Sequence, residues 1–117
     1  MRYLLTLIAV LFTSPVLAEP MLLQFTADWC PHCQTMKPRV ALMDKEGYDI
    51  KTLDVDQERG KRFSKTFNIT TIPASVVVDV VDGKFKVLGR KVGEMGAQEL
   101  RVFLKKSRMV PRPKKGK

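Results

Sequence analysis

The chain contains very few residues of the kinds that bind structural metal ions. Its two cysteines and its single histidine all lie in one segment, Cys30-Pro31-His32-Cys33, of a chain of 117 residues. Structural zinc normally takes four protein ligands, so this composition disfavours a structural zinc site. A disulfide within this segment would close a very small loop and would constrain the unfolded chain little. Metal handling by Cys30, His32 and Cys33, and a purely structural pair, remain alternatives to redox chemistry.

Long apolar runs are also lacking, except at the beginning of the chain. Residues 3–12 are almost wholly apolar, and Pro15 then breaks the pattern. This run is shorter than the roughly 20 residues that a membrane-spanning helix needs. The small side chains of Val16 and Ala18 fit a signal-peptidase site, so we predict a signal peptide over residues 1–18, cleaved after Ala18. The expected location is periplasmic or secreted, and the alternative is an uncleaved membrane anchor.

Acidic residues are absent from the end of the chain, where basic residues are concentrated. Residues 105–117 contain seven of the 21 lysines and arginines, and the whole chain has a net charge of +9. Residues 111–117 consist of proline, glycine and basic residues, so a flexible basic tail is predicted over residues 108–117. Such a tail is either simply solvated or contacts an anionic membrane or an acidic partner. No stacking surface accompanies the charge, so no nucleic-acid partner is expected.

Between these ends, residues 19–107 are long enough for one domain. The apolar patterns, helix caps and turn residues predict the order β-α-β-α-β-β-α. The predicted elements are a strand from Met21, a helix over 31–46, a strand over 48–55, a helix over 56–67, strands over 74–81 and 84–92 joined by the turn Asp82-Gly83, and a helix over 96–107. A βαβ unit followed by a hairpin and a helix predicts a mixed four-stranded sheet with helices on both faces.

The cysteine pair follows the first strand and opens the first helix. Two thiols at this spacing close into a disulfide across the first helical turn, where backbone dipoles stabilise a thiolate. This arrangement predicts a thiol–disulfide oxidoreductase that needs no cofactor besides the Cys30–Cys33 disulfide. Cys30 is expected to be exposed and to attack, and the more buried Cys33 to resolve the mixed disulfide. His32 either adds a positive charge or hydrogen bond near the Cys30 thiolate or simply faces solvent.

Several landmarks together resemble the thioredoxin superfamily. Residues 25–33 look like the active-site segment of that family, and Pro38 falls where the family carries a helix-kinking proline. Ile72-Pro73 resembles its cis-proline pair. The resemblance spans residues 21 to about 107 and implies the minimal thioredoxin fold. It further implies that Trp29, Ile72 and Pro73 contact an extended segment of a cysteine-containing substrate protein.

Two departures from thioredoxins bear on the direction of electron flow. Gln24 stands where thioredoxins carry a buried aspartate, and an amide cannot accept a proton in that role. Pro31-His32 resembles the dipeptide of strongly oxidising periplasmic enzymes, although the chain lacks their large helical insertion. If Cys30 titrates near ~4.5 rather than ~7, the reduced form gains ~3 kcal/mol, or ~65 mV towards an oxidising potential.

The sequence therefore predicts an exported thiol–disulfide oxidoreductase, with an oxidant favoured over a reductant that serves apocytochrome or partner-enzyme thiols. A non-catalytic thioredoxin-like binding module is a further alternative. The expected partners are cysteine-containing substrate proteins and a membrane redox partner. A monomer is expected, because no dimerisation segment is visible.

Overall fold

The computed structural model describes residues 19–112 of the chain. The predicted signal peptide over residues 1–18 lies outside the described residues, as do the last five residues of the predicted tail. The described elements are β1 (Met21–Thr26), α1 (Pro31–Lys45), β2 (Ile50–Asp54), α2 (Glu58–Thr66), β3 (Ala74–Val81), β4 (Lys84–Val92) and α3 (Ala97–Lys106). The predicted order of strands and helices is confirmed.

The four strands form one mixed sheet in the order β2-β1-β3-β4. β1 pairs with β2 in parallel and with β3 antiparallel, and β4 pairs antiparallel with β3 at the edge. The predicted four-stranded mixed sheet is therefore confirmed. Within residues 19–112, no helix combines the length and the apolar character that crossing a bilayer requires.

Successive strand residues point to opposite faces of the sheet, and this alternation divides the core into two clusters. Leu22 of β1 packs beneath α1 and α3, whereas its neighbour Leu23 packs on the face that α2 covers. The first cluster contains Leu22, Met36, Val40, Met43, Tyr48, Val77, Met95, Leu100, Leu104 and Met109. The second contains Leu23, Phe25, Leu53, Phe67, Ala74, Val76 and Val78. Helices thus lie on both faces of the sheet, as predicted.

The turns explain where two elements begin and end. Asp82 and Gly83 have φ values of 53° and 76°, which match the two left-handed positions of the type I′ hairpin turn. At the end of α1, Gly47 has φ 106° and the Tyr48 N–H donates to the Met43 carbonyl at 3.2 Å. Because Tyr48 belongs to this helix end, β2 starts at Ile50, two residues later than predicted.

The predicted flexible tail is wrong at Met109 and Arg112, which contact the domain, whereas Arg108, Val110 and Pro111 are exposed. Met109 is only 4% exposed and belongs to the first cluster. The Arg112 N–H donates to the Gly47 carbonyl at 2.9 Å, and Arg112 Nη1 lies 3.0 Å from Glu19 Oε1. The physical reason is Met109, because burial of this one apolar side chain holds the basic segment against the core.

Candidate active site

The connection between β1 and α1 positions the two cysteines. Cys30 is the N-cap residue of α1, with extended backbone at φ −94° and ψ 110°, and Pro31 follows at the first helical position. Proline suits this position because the missing N–H would have no intrahelical partner. The Gln34 side chain donates to the carbonyls of Ala27 and Asp28 at 3.2 and 3.1 Å. The loop before the cysteines is therefore tied to the first turn of the helix.

Cys30 and Cys33 form a disulfide, and their Cα atoms are 5.1 Å apart. The Cys33 backbone N–H donates to Cys30 Sγ at 3.2 Å. This contact is the side-chain cap of α1, because it satisfies an N–H group that the helix itself leaves unpaired. The sulfur of Cys30 thus lies at the positive end of the helix, where a thiolate is favoured over a thiol.

The expectation that Cys30 is exposed is wrong for the disulfide form. Cys30 is 5% exposed and Cys33 is 1% exposed. The two cysteines and Ala27 form a small apolar cluster against which Val55 and Ile72 pack. Cys30 is covered because it packs within this cluster, against Val55 and Ile72. The expected order of exposure, with Cys33 the more buried, is confirmed.

His32 lies at the surface and contacts a residue that the sequence did not indicate. Its side chain is 74% exposed, and its Nδ1 lies 3.0 Å from Glu94 Oε1. Arg39 Nη1 donates to the other oxygen of the same carboxylate at 2.9 Å. The hydrogen bond from His32, followed in importance by the one from Arg39, lowers the pKa of Glu94. His32 is therefore linked to Arg39 through one carboxylate, and its effect on the cysteine thiolate stays a prediction.

The Ile72–Pro73 peptide bond is cis, as the resemblance implied. The Ile72 carbonyl oxygen lies 3.9 Å from Cys30 Sγ. The Gly93 N–H donates to the Pro73 carbonyl at 2.8 Å, so the loop after β4 lies beside the cis-proline loop. This contact brings Glu94 to the same edge of the molecule as the cysteines.

Trp29 is 67% exposed, which excludes a core role for this side chain. Its indole Nε1–H donates to Asp56 Oδ2 at 2.7 Å. Asp56 lies two residues after the end of β2 and was not predicted from the sequence as a site residue. The indole next to Cys30 in the chain is therefore exposed and held in place by Asp56, and its contact with a substrate stays a prediction.

Gln24 is buried behind the disulfide, on β1. It is 3% exposed, and its Oε1 accepts a hydrogen bond from Ser75 Oγ at 2.7 Å. Gln24 Nε2 and Thr26 Oγ1 are buried and have no hydrogen-bond partner among residues 19–112. Both residues line a cavity of about 280 Å³ together with Cys33. β1 therefore contributes an amide and a hydroxyl, and no carboxylate, to the cavity beside Cys33, and Lys37 and Asp44 of α1 line the same cavity.

One further predicted residue, Pro38, and the alternative of a metal site both concern α1. Pro38 is inside α1, which continues from Pro31 to Lys45, and the expected kink at Pro38 stays a prediction. In the described part of the chain, no three His, Cys, Asp or Glu side chains are grouped as metal ligands. His32 instead makes its described contact with Glu94.

Comparison with known proteins identifies the family. A sequence model of the family described as "Thioredoxin" matches residues 5–106. The chain belongs to the thioredoxin family. The "Thiol:disulfide interchange protein TxlA" of Synechococcus elongatus is 34% identical over 81 residues, which cover 66% of this chain and 40% of that protein. "Thioredoxin C-3" of Corynebacterium nephridii is 29% identical over 85 residues, which cover 73% of this chain and 56% of that thioredoxin. The matched segments thus span about half the length of these relatives.

Solved thioredoxin structures have the same fold. Plasmodium falciparum thioredoxin superposes with a TM-score of 0.67 at 15% identity, over 82% of this chain and 76% of that one. Fasciola hepatica thioredoxin gives a TM-score of 0.62 at 25% identity, over 76% of this chain and 81% of that one. These similarities agree with the strand order and the two-sided covering of the sheet by helices. The predicted thioredoxin fold, with a mixed four-stranded sheet and helices on both faces, is confirmed for residues 19–112.

Proposed function

We propose that this protein is an exported thiol–disulfide oxidoreductase that exchanges its Cys30–Cys33 disulfide with cysteine-containing substrate proteins. The observation that carries the proposal is the disulfide at the amino end of α1, with the Cys33 N–H directed at Cys30 Sγ at 3.2 Å. Membership of the thioredoxin family supports it. The redox group is the disulfide itself, so no separate cofactor takes part.

The proposed reaction is a pair of thiol–disulfide exchanges. A substrate thiolate attacks the Cys30 sulfur, the Cys30–Cys33 bond breaks, and Cys33 leaves as a thiolate that takes up a proton. A second substrate thiolate then attacks the substrate sulfur of the mixed disulfide and releases Cys30 as a thiolate. The substrate loses two electrons and gains a disulfide, while the protein becomes a dithiol. The amino end of α1 favours this direction because it stabilises the released Cys30 anion.

Oxidation of substrates is favoured over reduction for two reasons. Pro31-His32 resembles the dipeptide of strongly oxidising enzymes, and Gln24 stands where thioredoxins carry a buried aspartate. The alternative is a reductant that converts disulfides of apocytochromes or of a partner enzyme to thiols. Titration of the full-length protein against glutathione decides between them. We expect a reduction potential above about −200 mV, whereas a value below about −250 mV would favour the reductant.

The rate of Cys30 alkylation as a function of pH provides an independent test of the same proposal. Iodoacetamide reacts with the thiolate, so the rate follows the titration of the attacking sulfur in the reduced protein. We expect a midpoint below that of an ordinary cysteine thiol, because the amino end of α1 favours the thiolate, and a midpoint at or above about 7 would reverse the preferred direction. A Cys30→Ser variant is the control, because it removes the attacking sulfur and should abolish exchange.

We also propose export to the periplasm or the medium, on the evidence of the apolar segment before residue 19. The proposed partners are cysteine-containing substrate proteins and a membrane protein that restores the disulfide, with the protein itself a monomer. Cell fractionation and mass spectrometry of the purified protein test the location. A mature chain that begins at Glu19 is expected, and an intact chain in the cytoplasm would contradict export.

A basic tail is the remaining element of this proposal. We propose that residues 113–117 add attraction to an anionic membrane or an acidic partner, at ~1 kcal/mol for each cation near an anionic surface. Deletion of these residues should weaken binding of the purified protein to phosphatidylserine vesicles at low salt. Unchanged binding would show that the tail is only a solvated end.

A further inference from the structure

A groove lies beside the disulfide, between Trp29 and the helix α2. It has a volume of about 360 Å³ and opens to solvent. Its apolar part is formed by the side chains of Trp29, Val55, Ile69 and Ile72. This volume is within the range of about 300–1,000 Å³ that is usual for ligand pockets, and it leaves room for one apolar side chain of a bound segment.

Two of the groove residues also contact the redox centre. Val55 and Ile72 pack against the small cluster formed by Ala27, Cys30 and Cys33. The Ile72 carbonyl lies 3.9 Å from Cys30 Sγ. A polypeptide whose cysteine reaches Cys30 therefore has its neighbouring residues within reach of this groove.

The opposite wall of the groove carries positive charge. Lys61, Ser64 and Lys65 of α2 line it, and their spacing of three and four residues places them on one helix face. The other basic side chains of α2 have partners, since Arg62 lies 3.8 Å from Glu58 and Arg59 lies over the Phe63 ring. Within residues 19–112, neither Lys61 nor Lys65 makes an ion pair or a side-chain hydrogen bond.

We propose that this groove selects substrate segments in which the reacting cysteine is followed by an apolar residue and then by acidic residues. This inference rests on the proposed function and names the substrate class for the same site. The apolar side chain is buried against Val55, Ile69 and Ile72, and the carboxylates face Lys61 and Lys65. Charge complementarity of this kind acts on the encounter rate and on the choice of partner.

The acidic side chains at the start of α2 have partners of their own. Asp56 accepts a hydrogen bond from the indole of Trp29, and Glu58 lies 3.8 Å from Arg62. An exposed ion pair contributes a factor of up to about five in affinity, and this contribution weakens as salt rises. Two lysines therefore predict a preference of about threefold to tenfold for an acidic over a basic segment at low salt.

The experiment uses three synthetic dithiol peptides and the oxidised full-length protein. The peptides share one sequence with two cysteines and a leucine after the first cysteine, and the next two residues are Glu, Gln or Lys. Peptide oxidation and reduction of the Cys30–Cys33 disulfide balance without any other reactant. The fluorescence of Trp29, the single tryptophan of the chain, follows the rate. The uncharged 2-hydroxyethyl disulfide calibrates the intrinsic reactivity of each peptide.

After this calibration, the Glu peptide should react about three to ten times faster than the Lys peptide, and ~0.5 M salt should remove most of the difference. The variant Lys61→Glu/Lys65→Glu should reverse the order. The matched control Lys84→Glu/Lys86→Glu has the same change of net charge on exposed residues at the far end of the β3–β4 hairpin, and it should keep the preference.

The possible results separate this inference from the proposed function. Equal calibrated rates for the three peptides, or loss of the preference in the Lys84→Glu/Lys86→Glu control, would overturn the groove as a selective site. In that case exchange itself would still be observed. If no peptide reduces the wild-type disulfide, the proposed function fails.

Discussion

The hydrogen bond at the start of α1 leads to a prediction about stability that does not depend on redox activity. Cys30 caps the helix, because its sulfur accepts the Cys33 N–H at 3.2 Å. Cys30→Ser and Cys30→Ala both remove the disulfide, so its contribution cancels between them. Only the serine variant keeps a side-chain acceptor for the N–H groups at the helix start. The difference between these two variants therefore isolates the cap.

Replacement of a serine N-cap by alanine costs about 0.5–2 kcal/mol, typically ~1 kcal/mol. The backbone of Cys30 already has the extended conformation of an N-cap, so the serine hydroxyl needs no change in the chain path. We expect Cys30→Ser to be more stable than Cys30→Ala by about 1 kcal/mol. For a domain of this size, that difference raises the melting temperature by roughly 4–8 °C.

Urea denaturation of both variants under reducing conditions, followed by far-UV circular dichroism, measures this difference. Comparable denaturant slopes would show that the same cooperative unit unfolds in both. A serine variant no more stable than the alanine variant would refute the reasoning. That result would mean that the N–H groups at the start of α1 do not stabilise a hydrogen-bond acceptor at position 30. The same N–H groups could then not be used to explain a stabilised Cys30 thiolate.

Three further predictions concern ion pairing, core packing and buried polarity. Hydrogen bonds from Arg101 lower the pKa of Glu46, so its contribution to stability is present above the ordinary pKa of the carboxyl and is lost as pH falls through the lowered pKa. Glu46→Gln should therefore lower the free energy of unfolding at pH 7 but leave it unchanged below about pH 3. Urea denaturation at several pH values measures this, and an equal loss of stability at both pH values would contradict the prediction. Met109→Ala should cost about 2–5 kcal/mol in urea denaturation, whereas a cost below about 0.5 kcal/mol would show that residues 108–112 are not held by the core. Gln24→Leu should cost about 1–3 kcal/mol by leaving the Ser75 hydroxyl without its acceptor, and Gln24→Leu/Ser75→Ala should recover much of this in the same assay; no recovery would point to packing instead.

Local patterns predicted the parts of the fold that local physics decides. β3 and β4 have their predicted bounds, because a run of β-branched residues and the Asp82-Gly83 turn specify them without help from distant residues. The cysteine pair was equally visible, since a strand, a cap and a helix start all lie within one short segment. The cis bond before Pro73 came instead from the family resemblance.

Contacts between distant segments account for what the sequence did not predict. Glu94 lies 62 residues after His32, and Asp56 lies 27 residues after Trp29, so only the folded topology brings each pair together. The burial of Cys30 depends in the same way on the loop that carries Ile72. The burial of Met109 was not predicted, because the tail was judged by the overall composition of a mainly basic segment.

The ion pair between Glu19 and Arg112 places both ends of the described chain at one patch of the surface. β1 runs from this pole towards the loop that contains the disulfide, so the patch and the reactive edge lie at opposite ends of the first strand. A fluorophore, affinity handle or surface tether joined next to either residue would leave the cysteines pointing away from the attachment. Immobilised protein of this kind should keep its reactive edge open to large client polypeptides.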